Sequence, residues 1–409
     1  MKRIELLAPA GSLEKLKFAV LYGADAVYIG GEAFSLRTAA ENFSEEDIQQ
    51  GVEFAHKKGV KVYIALNVIP HNKDLEKIIE AGKKAHSLGI DAAIVSDIGT
   101  ILALREAVPG LDIHVSTQAN TVNALTASAF YKMGAKRVVL ARELSMEEIK
   151  EIREKTPVGL ELEMFVHGAM CISYSGRCLL SNYMTGRDSN SGACAQPCRW
   201  NYHLMEEKRP GEYYPVYEDE GGTYIFNSKD LCLIEHIPEI IDAGVTSLKI
   251  EGRVKTEYYV ASTVKAYREA IDAYYRDGEN YQFDPSLSEE LKKVSHRNYC
   301  NGFFKGKTDE NSQVYETSSY VRNYDIVGVV LDYDSESKIL TVEQRNRFFK
   351  GDEIEILQPM VPGFITITPE EMTDENGWEI ASAPHAKMIV KMKCEKKVIP
   401  NSILRKVRQ

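Results

Sequence analysis

Eight short apolar runs alternate with amphipathic segments along the first 250 residues, and few architectures accept that alternation. The strand candidates are 4–8, 26–29, 61–68, 92–96, 113–117, 137–141, 160–166 and 247–250. Helical periodicity fills 13–21, 45–56, 74–88, 98–106, 124–132 and 145–154. Ser44 with Asp47 and Ser145 with Glu148 have the spacing of a helix N-terminal capping box. Strands apolar on both faces belong in a parallel sheet covered by helices. Eight units predict an α/β fold, a closed TIM-like (β/α)8 barrel, rather than an open doubly wound sheet. The first strand leads into no G-x-G-x-x-G turn, which argues against a dinucleotide fold.

The pattern breaks after the seventh strand, at Glu163–Trp200. Four of the seven cysteines fall there, Cys171, Cys178, Cys194 and Cys198, spaced C-x6-C-x15-C-x3-C. Thiolates gathered from one irregular loop suit zinc or an iron–sulfur cluster, because soft sulfur prefers soft metals. Zinc ribbons use the tight C-x2-C knuckle; these wide, uneven gaps rank iron–sulfur ahead of zinc. Two disulfides or four unrelated buried thiols are the alternatives. The opening MKRIELLAPAGSLEKL has too short an apolar run for a secretion signal, and no run of 18 apolar residues occurs. A cytoplasmic chain, without membrane contact, is therefore expected, and a reducing pool disfavours disulfides. The polar, Tyr-rich stretch 201–223 predicts a β-hairpin or a lid.

In such a barrel the C-terminal strand ends and following loops build the site. That rule selects Tyr28 and the Gly30-Gly31 loop with Arg37, Asn67, Asp97, the alternating His114, Ser116, Gln118 and Asn120 on strand five, Arg142, Glu163 and His167, and Lys249, Glu251 and Arg253. Glu163, His167 and His114 are the candidates for proton transfer. Arg142, Arg253, Lys249, Glu251, Gln118 and Tyr28 are the candidates for substrate binding, since guanidinium groups hold carboxylates in bidentate fashion. Either histidine, taken alone, reads more often as a satisfied core residue than as a catalyst. Lys249 and Glu251 read equally well as a structural pair, because buried charges require partners.

The barrel with its 163–232 segment is expected over 1–280, and a linker over 281–320. From 321 to 409 the texture changes to period-two strands, IVGVVLDYD, KILTVEQR, DEIEIL, FITITPEEM and AKMIVKMKC, which predict a small antiparallel β-barrel. Cys232 sits at what reads as a helix start, and Cys300 and Cys394 read as ordinary residues. The net charge of −10 excludes indiscriminate nucleic-acid binding. From Lys387 to Gln409, however, eight Lys/Arg face one acid, Glu395. That stretch reads either as a phosphate-docking face or as a solvated tail.

The cysteine stretch resembles the signature of the collagenase-like peptidase family, E-x-F-x-x-G-x-x-C-x6-C-x-x-S, at Glu163, Phe165, Gly168, Cys171, Cys178 and Ser181. LLAPAG at 6–11, GADAVYIGG at 23–31, CRWNY from Cys198, FNSKDL at 226–231 and SLKIEGR at 247–253 extend the likeness over nearly the whole chain, and in particular to the branch of prephenate-dependent tRNA hydroxylases. The resemblance implies 5-hydroxylation of the wobble uridine of tRNA, with prephenate as a small dicarboxylate co-substrate. It implies a four-iron cluster, 4Fe-4S, on Cys171, Cys178, Cys194 and Cys198, and it leaves a homo-oligomer or a paralogous partner open. The family name also implies a peptidase (hydrolase), yet the sequence has neither H-E-x-x-H nor G-x-S-x-G. A third reading is a non-catalytic, metal-stapled scaffold.

Overall fold

The computed structural model describes residues 3–30, 43–171, 173–176, 178, 180–187, 194–199, 203–204, 214–215, 229–306 and 320–408. Gly31, Arg37, Trp200 and most of 201–223 lie outside the described residues.

Eight parallel strands close a barrel: β1 (Glu5–Pro9), β2 (Ala26–Ile29), β3 (Lys61–Ala65), β4 (Ala92–Val95), β5 (Asp112–Val115), β6 (Arg137–Val139), β7 (Glu161–Ala169) and β8 (Ser247–Ile250). Each pairs with its neighbour in sequence, and β8 pairs with both β7 and β1, at Ser247↔Glu163 and Glu5↔Ser247. The interior of every strand is buried, which is why the runs read as continuously apolar. Helices α1 (Leu13–Leu21), α2 (Glu45–His56), α3 (Leu75–Ser87), α4 (Ile98–Ala107), α5 (Ala124–Lys132) and α6 (Met146–Lys155) follow the first six strands. Ser44 and Ser145 form the expected capping boxes with Asp47 and Glu148. The TIM-like barrel is borne out strand for strand.

Two local expectations need correction. Strand β5 ends at Val115 and turns into a short helical turn, Thr117–Ala119, capped by the Ser116 side chain, with Asn120 left-handed at φ 55°. Ser116, Gln118 and Asn120 therefore do not alternate along a strand. Cys232 lies in a strand, Asp230–Cys232, antiparallel to the end of β7, rather than at a helix start. Within the expected linker, α8 (Pro285–Leu291) follows α7 (Glu257–Asp277), and Tyr299–Cys300 adds a strand parallel to Asp230–Cys232. Within the stretch expected as a hairpin, His203–Leu204 pairs antiparallel with Tyr214–Pro215.

By contacts the chain forms two compact units, one of 1–20, 24–255 and 297–320, the other of 21–23, 256–296 and 321–409. The second holds a seven-stranded antiparallel sheet. From edge to edge it runs β12 (Phe364–Ile367), β11 (Ile354–Leu357), β15 (Ile403–Val407), β9 (Tyr324–Asp334), β10 (Ile339–Gln344), β14 (Ile389–Lys393) and β13 (Met372–Asp374). Its core gathers Val327, Val342, Phe348, Ile356, Met392 and Leu404. Strand β15 carries Arg405, fully buried and bonded to Glu290 (Nη2–Oε2 2.6 Å) and Glu355 (Nε–Oε2 2.8 Å). Lys406 pairs with Asp352 at 2.6 Å. Two of the eight basic residues in the apparent tail are thus internal ion pairs. No helix of the described residues is long and apolar enough to cross a membrane.

Candidate active site

A cavity of about 310 Å3 opens at the C-terminal ends of the barrel strands. Cys171, Cys178, Cys194 and Cys198 all line it, as do Tyr28, Gln118, Arg142, Lys249, Glu251 and Arg253. Two groups chosen on separate grounds, thiols by spacing and polar residues by barrel geometry, therefore meet in one space.

The cysteine loop is built to present sulfur as an acceptor. Each of three cysteines receives a backbone N–H from two residues on: Ser173 to Cys171, Leu180 to Cys178 at 3.4 Å and Gln196 to Cys194 at 3.3 Å. Gln196 adopts φ 57° at that turn, a conformation uncommon outside glycine. Such N–H···S bonds favour thiolate and tune metal–thiolate centres. Burial raises the Cys171 thiol, the Ser173 N–H and Arg142 oppose that rise, and Cys178 and Cys194 add to it. Among the described residues, no three His, Cys, Asp or Glu side chains are arranged to hold a single ion. The four cysteines share the wall of one cavity, and thiolate is a ligand that both zinc and iron–sulfur clusters take. The donor set for an iron–sulfur cluster is present.

The cations beside the sulfurs are held rigidly. The Arg142 guanidinium lies 3.9 Å over the Phe165 ring, donates from Nη1 to the Ala169 carbonyl at 2.8 Å, and approaches Glu251 at 3.6 Å. Lys249 lies 4.6 Å over the Tyr28 ring, whose hydroxyl donates to the Ile250 carbonyl at 3.0 Å. Glycines make room for the strand-eight motif. A Cβ on Gly30 would sit 2.4 Å from Nη1 of Arg253, and one on Gly11 would sit 2.1 Å from the Arg253 carbonyl oxygen. Gly168, at φ 107°, lies against the Glu251 backbone in the same way. Three glycine motifs far apart in sequence thus close around Glu251–Arg253. Among the described residues three cations and one carboxylate line the cavity, a formal surplus of two positive charges.

The three residues selected for proton transfer are placed elsewhere. Glu163 is fully buried beneath the cavity, accepting from Lys249 Nζ at 2.8 Å, Arg137 Nη1 at 2.9 Å and Ser247 Oγ at 3.3 Å. Burial pushes its carboxyl up, but Lys249 and Arg137 outweigh that and hold it below the usual range. Arg137 also binds Glu161 at 2.7 Å and Glu5 at 3.1 Å, and Tyr63 donates to Glu5 at 2.7 Å. His114 packs edge-on against Tyr63, 4.7 Å between centroids, inside the same layer. Burial, then Arg137 and Lys249, hold it well below the ordinary histidine value. His167 faces out of the barrel. The β7–β8 register shifts between Lys249↔Phe165 and Ile250↔His167, so His167 shares the face of Ile250, opposite to Lys249, and its ring lies 5.2 Å from Tyr299. Glu163, His114 and His167 are absent from the cavity wall.

The model of peptidase family U32 matches residues 11–314, and that of the U32 C-terminal domain matches 322–405. The chain belongs to peptidase family U32. This U32 member is 45% identical over 405 residues to tRNA hydroxylation protein P1 of Bacillus subtilis, covering 99% of this chain and 95% of that one. It is 41% identical to tRNA hydroxylation protein P of Escherichia coli, over 94% of this chain and 92% of that one. A protein of Porphyromonas gingivalis named Collagenase is 35% identical over 91% and 90%. The family read from the cysteine signature is the family found.

Sequence reasoning missed Arg137, which reads as an ordinary strand-start charge until its three carboxylates are seen converging. It also missed Glu143 and Ser175, which brace Arg142. The only signal was a Glu directly after an Arg already chosen.

Proposed function

We propose that this U32 chain is a tRNA-modifying enzyme that hydroxylates C5 of the wobble uridine, with prephenate as co-substrate and a 4Fe-4S cluster on Cys171, Cys178, Cys194 and Cys198. The relatives named tRNA hydroxylation proteins support the RNA substrate and the reaction class. The observation that carries the reading is the convergence of four sulfurs with Arg142, Lys249 and Arg253 in one cavity. When bound, the cluster would supply one-electron chemistry beside the substrate.

The chain's own residues do the rest. Arg142 and Arg253 present guanidinium edges suited to the two carboxylates of a dicarboxylate. Lys249 adds a third positive charge, and Glu163 and Arg137 fix its position from below. Phe165 and Tyr28 wall the cavity and keep water from the charges, which strengthens their attraction for an anion. Glu163 and His114 serve this site as a brace and a packing partner rather than as proton carriers.

In the second unit, Trp378 is 74% exposed just after the Asp374–Gly377 turn. Half-exposed Phe349 lies under the Arg347 guanidinium at 4.7 Å. An exposed aromatic beside Arg and Lys, as Phe349 is beside Arg347 and Lys406, is the equipment that stacks unpaired RNA bases, so this unit is the proposed RNA-gripping element.

The collagenase reading requires a thiol with an imidazole base at the site. His167 faces away from the cavity, and four metal-bound thiolates would not be free nucleophiles. Hydroxylation is therefore the favoured reading. Mass spectrometry of tRNA nucleosides tests it. A strain lacking the gene should lose 5-hydroxyuridine-derived nucleosides, and the wild-type gene, but not a Cys171→Ala copy, should restore them. Unchanged nucleosides in the deletion strain would refute the assignment.

A further inference from the structure

Arg142 is held by a device that the proposed reaction does not by itself demand. The residue after it, Glu143, turns its carboxylate onto Ser175, in the turn between Cys171 and Cys178. The Ser175 backbone N–H donates to Oε1 and its hydroxyl donates to Oε2, both at 2.6 Å. The same hydroxyl oxygen accepts the Arg142 backbone N–H at 3.3 Å. Ser175 is 3% exposed and left-handed, φ 42° and ψ 39°, a conformation that costs about 1 kcal/mol or more outside glycine and persists only where its surroundings enforce it. Asn120, itself left-handed at φ 55°, donates its side-chain amide to the Tyr174 carbonyl at 3.1 Å and ties the turn to the loop after β5.

The consequence appears at the guanidinium. Nη1 is engaged by Ala169 and the plane is clamped on Phe165, while Nε is buried with no hydrogen-bond partner among the described residues. A buried donor left without a partner is costly, and this one belongs to a residue that lines the cavity. A carboxylate seated there accepts from Nε and an adjacent Nη in the fork geometry that arginine favours.

Resting on the hydroxylase reading above, we propose that Arg142 binds one of the substrate's carboxylates, and that Glu143, acting through Ser175, is a positioning residue linking its orientation to the Cys171–Cys178 turn. Substrate anchoring and the metal-binding loop are then one mechanical unit. A misplacement of the guanidinium by about 1 Å weakens recognition by roughly tenfold to a hundredfold.

The test uses anaerobically purified holoenzyme, wild type and the Glu143→Gln and Ser175→Gly variants. Glycine accepts the left-handed backbone, keeps the backbone N–H and removes the hydroxymethyl group. Three readouts are taken: iron per chain, KM for prephenate against kcat in tRNA hydroxylation, and protection of Arg142 by prephenate from phenylglyoxal, mapped by peptide mass spectrometry. The expected result is iron and kcat within about twofold of wild type, KM raised roughly tenfold or more, and protection of Arg142 lost at the prephenate concentration that shields wild type. Protection equal to wild type in both variants would overturn the inference, as would loss of iron with unchanged prephenate KM. A wild-type enzyme that hydroxylates tRNA while prephenate leaves Arg142 unprotected would overturn it alone. A wild-type enzyme that hydroxylates no tRNA would instead remove the function proposed above.

Discussion

Replacing Glu163 by Gln separates a brace from a catalyst. The side chain is fully buried, and its carboxylate answers Lys249 at 2.8 Å and Arg137 at 2.9 Å. Glutamine keeps the shape and removes the charge, leaving two cations short of a counter-ion inside the barrel. Breaking a buried pair from one side costs about 3–5 kcal/mol. At about 2–4 °C per kcal/mol for a domain of this size, the melting temperature should fall by roughly 6–20 °C. Arg137 retains Glu5 and Glu161, so most of the loss belongs to Lys249. Glu163→Gln/Lys249→Met, which removes both charges, should recover more than half of it, with a coupling energy of at least about 2 kcal/mol. The acid limb gives a second check. The folded-state carboxyl titrates below its ordinary value of about 4.3, so its contribution is present above that value and disappears as pH falls below it. The variant should lose less stability than wild type on going from pH 5 to pH 3. Thermal and urea unfolding measure both effects. A variant within about 1 kcal/mol of wild type that has nonetheless lost hydroxylation would refute the brace and return Glu163 to the chemistry.

Gly30→Ala should displace the Arg253 guanidinium, whose Nη1 lies 2.4 Å from the new Cβ; prephenate KM should rise, and an unchanged KM would remove Arg253 from the site. His114 is held neutral by burial and by Arg137 and Lys249, so wild type should lose about 1 kcal/mol between pH 7 and pH 5.5, as the unfolded histidine protonates near 6.5 and the folded one does not. His114→Phe should abolish that slope while keeping the packing on Tyr63, and a slope that persists would contradict the assignment. Trp378→Ala should weaken tRNA binding roughly tenfold, measured by filter retention, with no change in melting temperature; unaltered affinity would take the second unit's exposed aromatic out of the RNA contact.

The barrel was legible because each strand and helix carries its own periodicity, and Ala26–Ile29, Ser247–Ile250, Leu13–Leu21 and Glu45–His56 were readable to the residue. The cysteine quartet and the cations at the mouth were legible for a different reason: the fold places all strand ends on one face. The errors lie where tertiary pairing overrides local pattern. Arg405 looks like part of a solvated tail, but Glu290 and Glu355, 115 and 50 residues away, convert it into a core residue of β15. His167 keeps strand alternation on paper, yet the register shift beside Ile250 turns it outward. The polar series after His114 looked like a strand because every second residue is hydrophilic; the Ser116 cap and left-handed Asn120 end it. Ser175 carried no signal at all, since its role follows from a backbone conformation that a serine codon does not advertise.

Iron and labile sulfide per chain, measured on oxygen-free protein with each cysteine replaced in turn, test the central claim most directly. About four irons in wild type, with the brown colour lost on Cys→Ala at 171, 178, 194 or 198 and kept at 232, 300 and 394, is the predicted result. Colourless wild-type protein carrying zinc or no metal, or colour that survives loss of any one of the four, would contradict it.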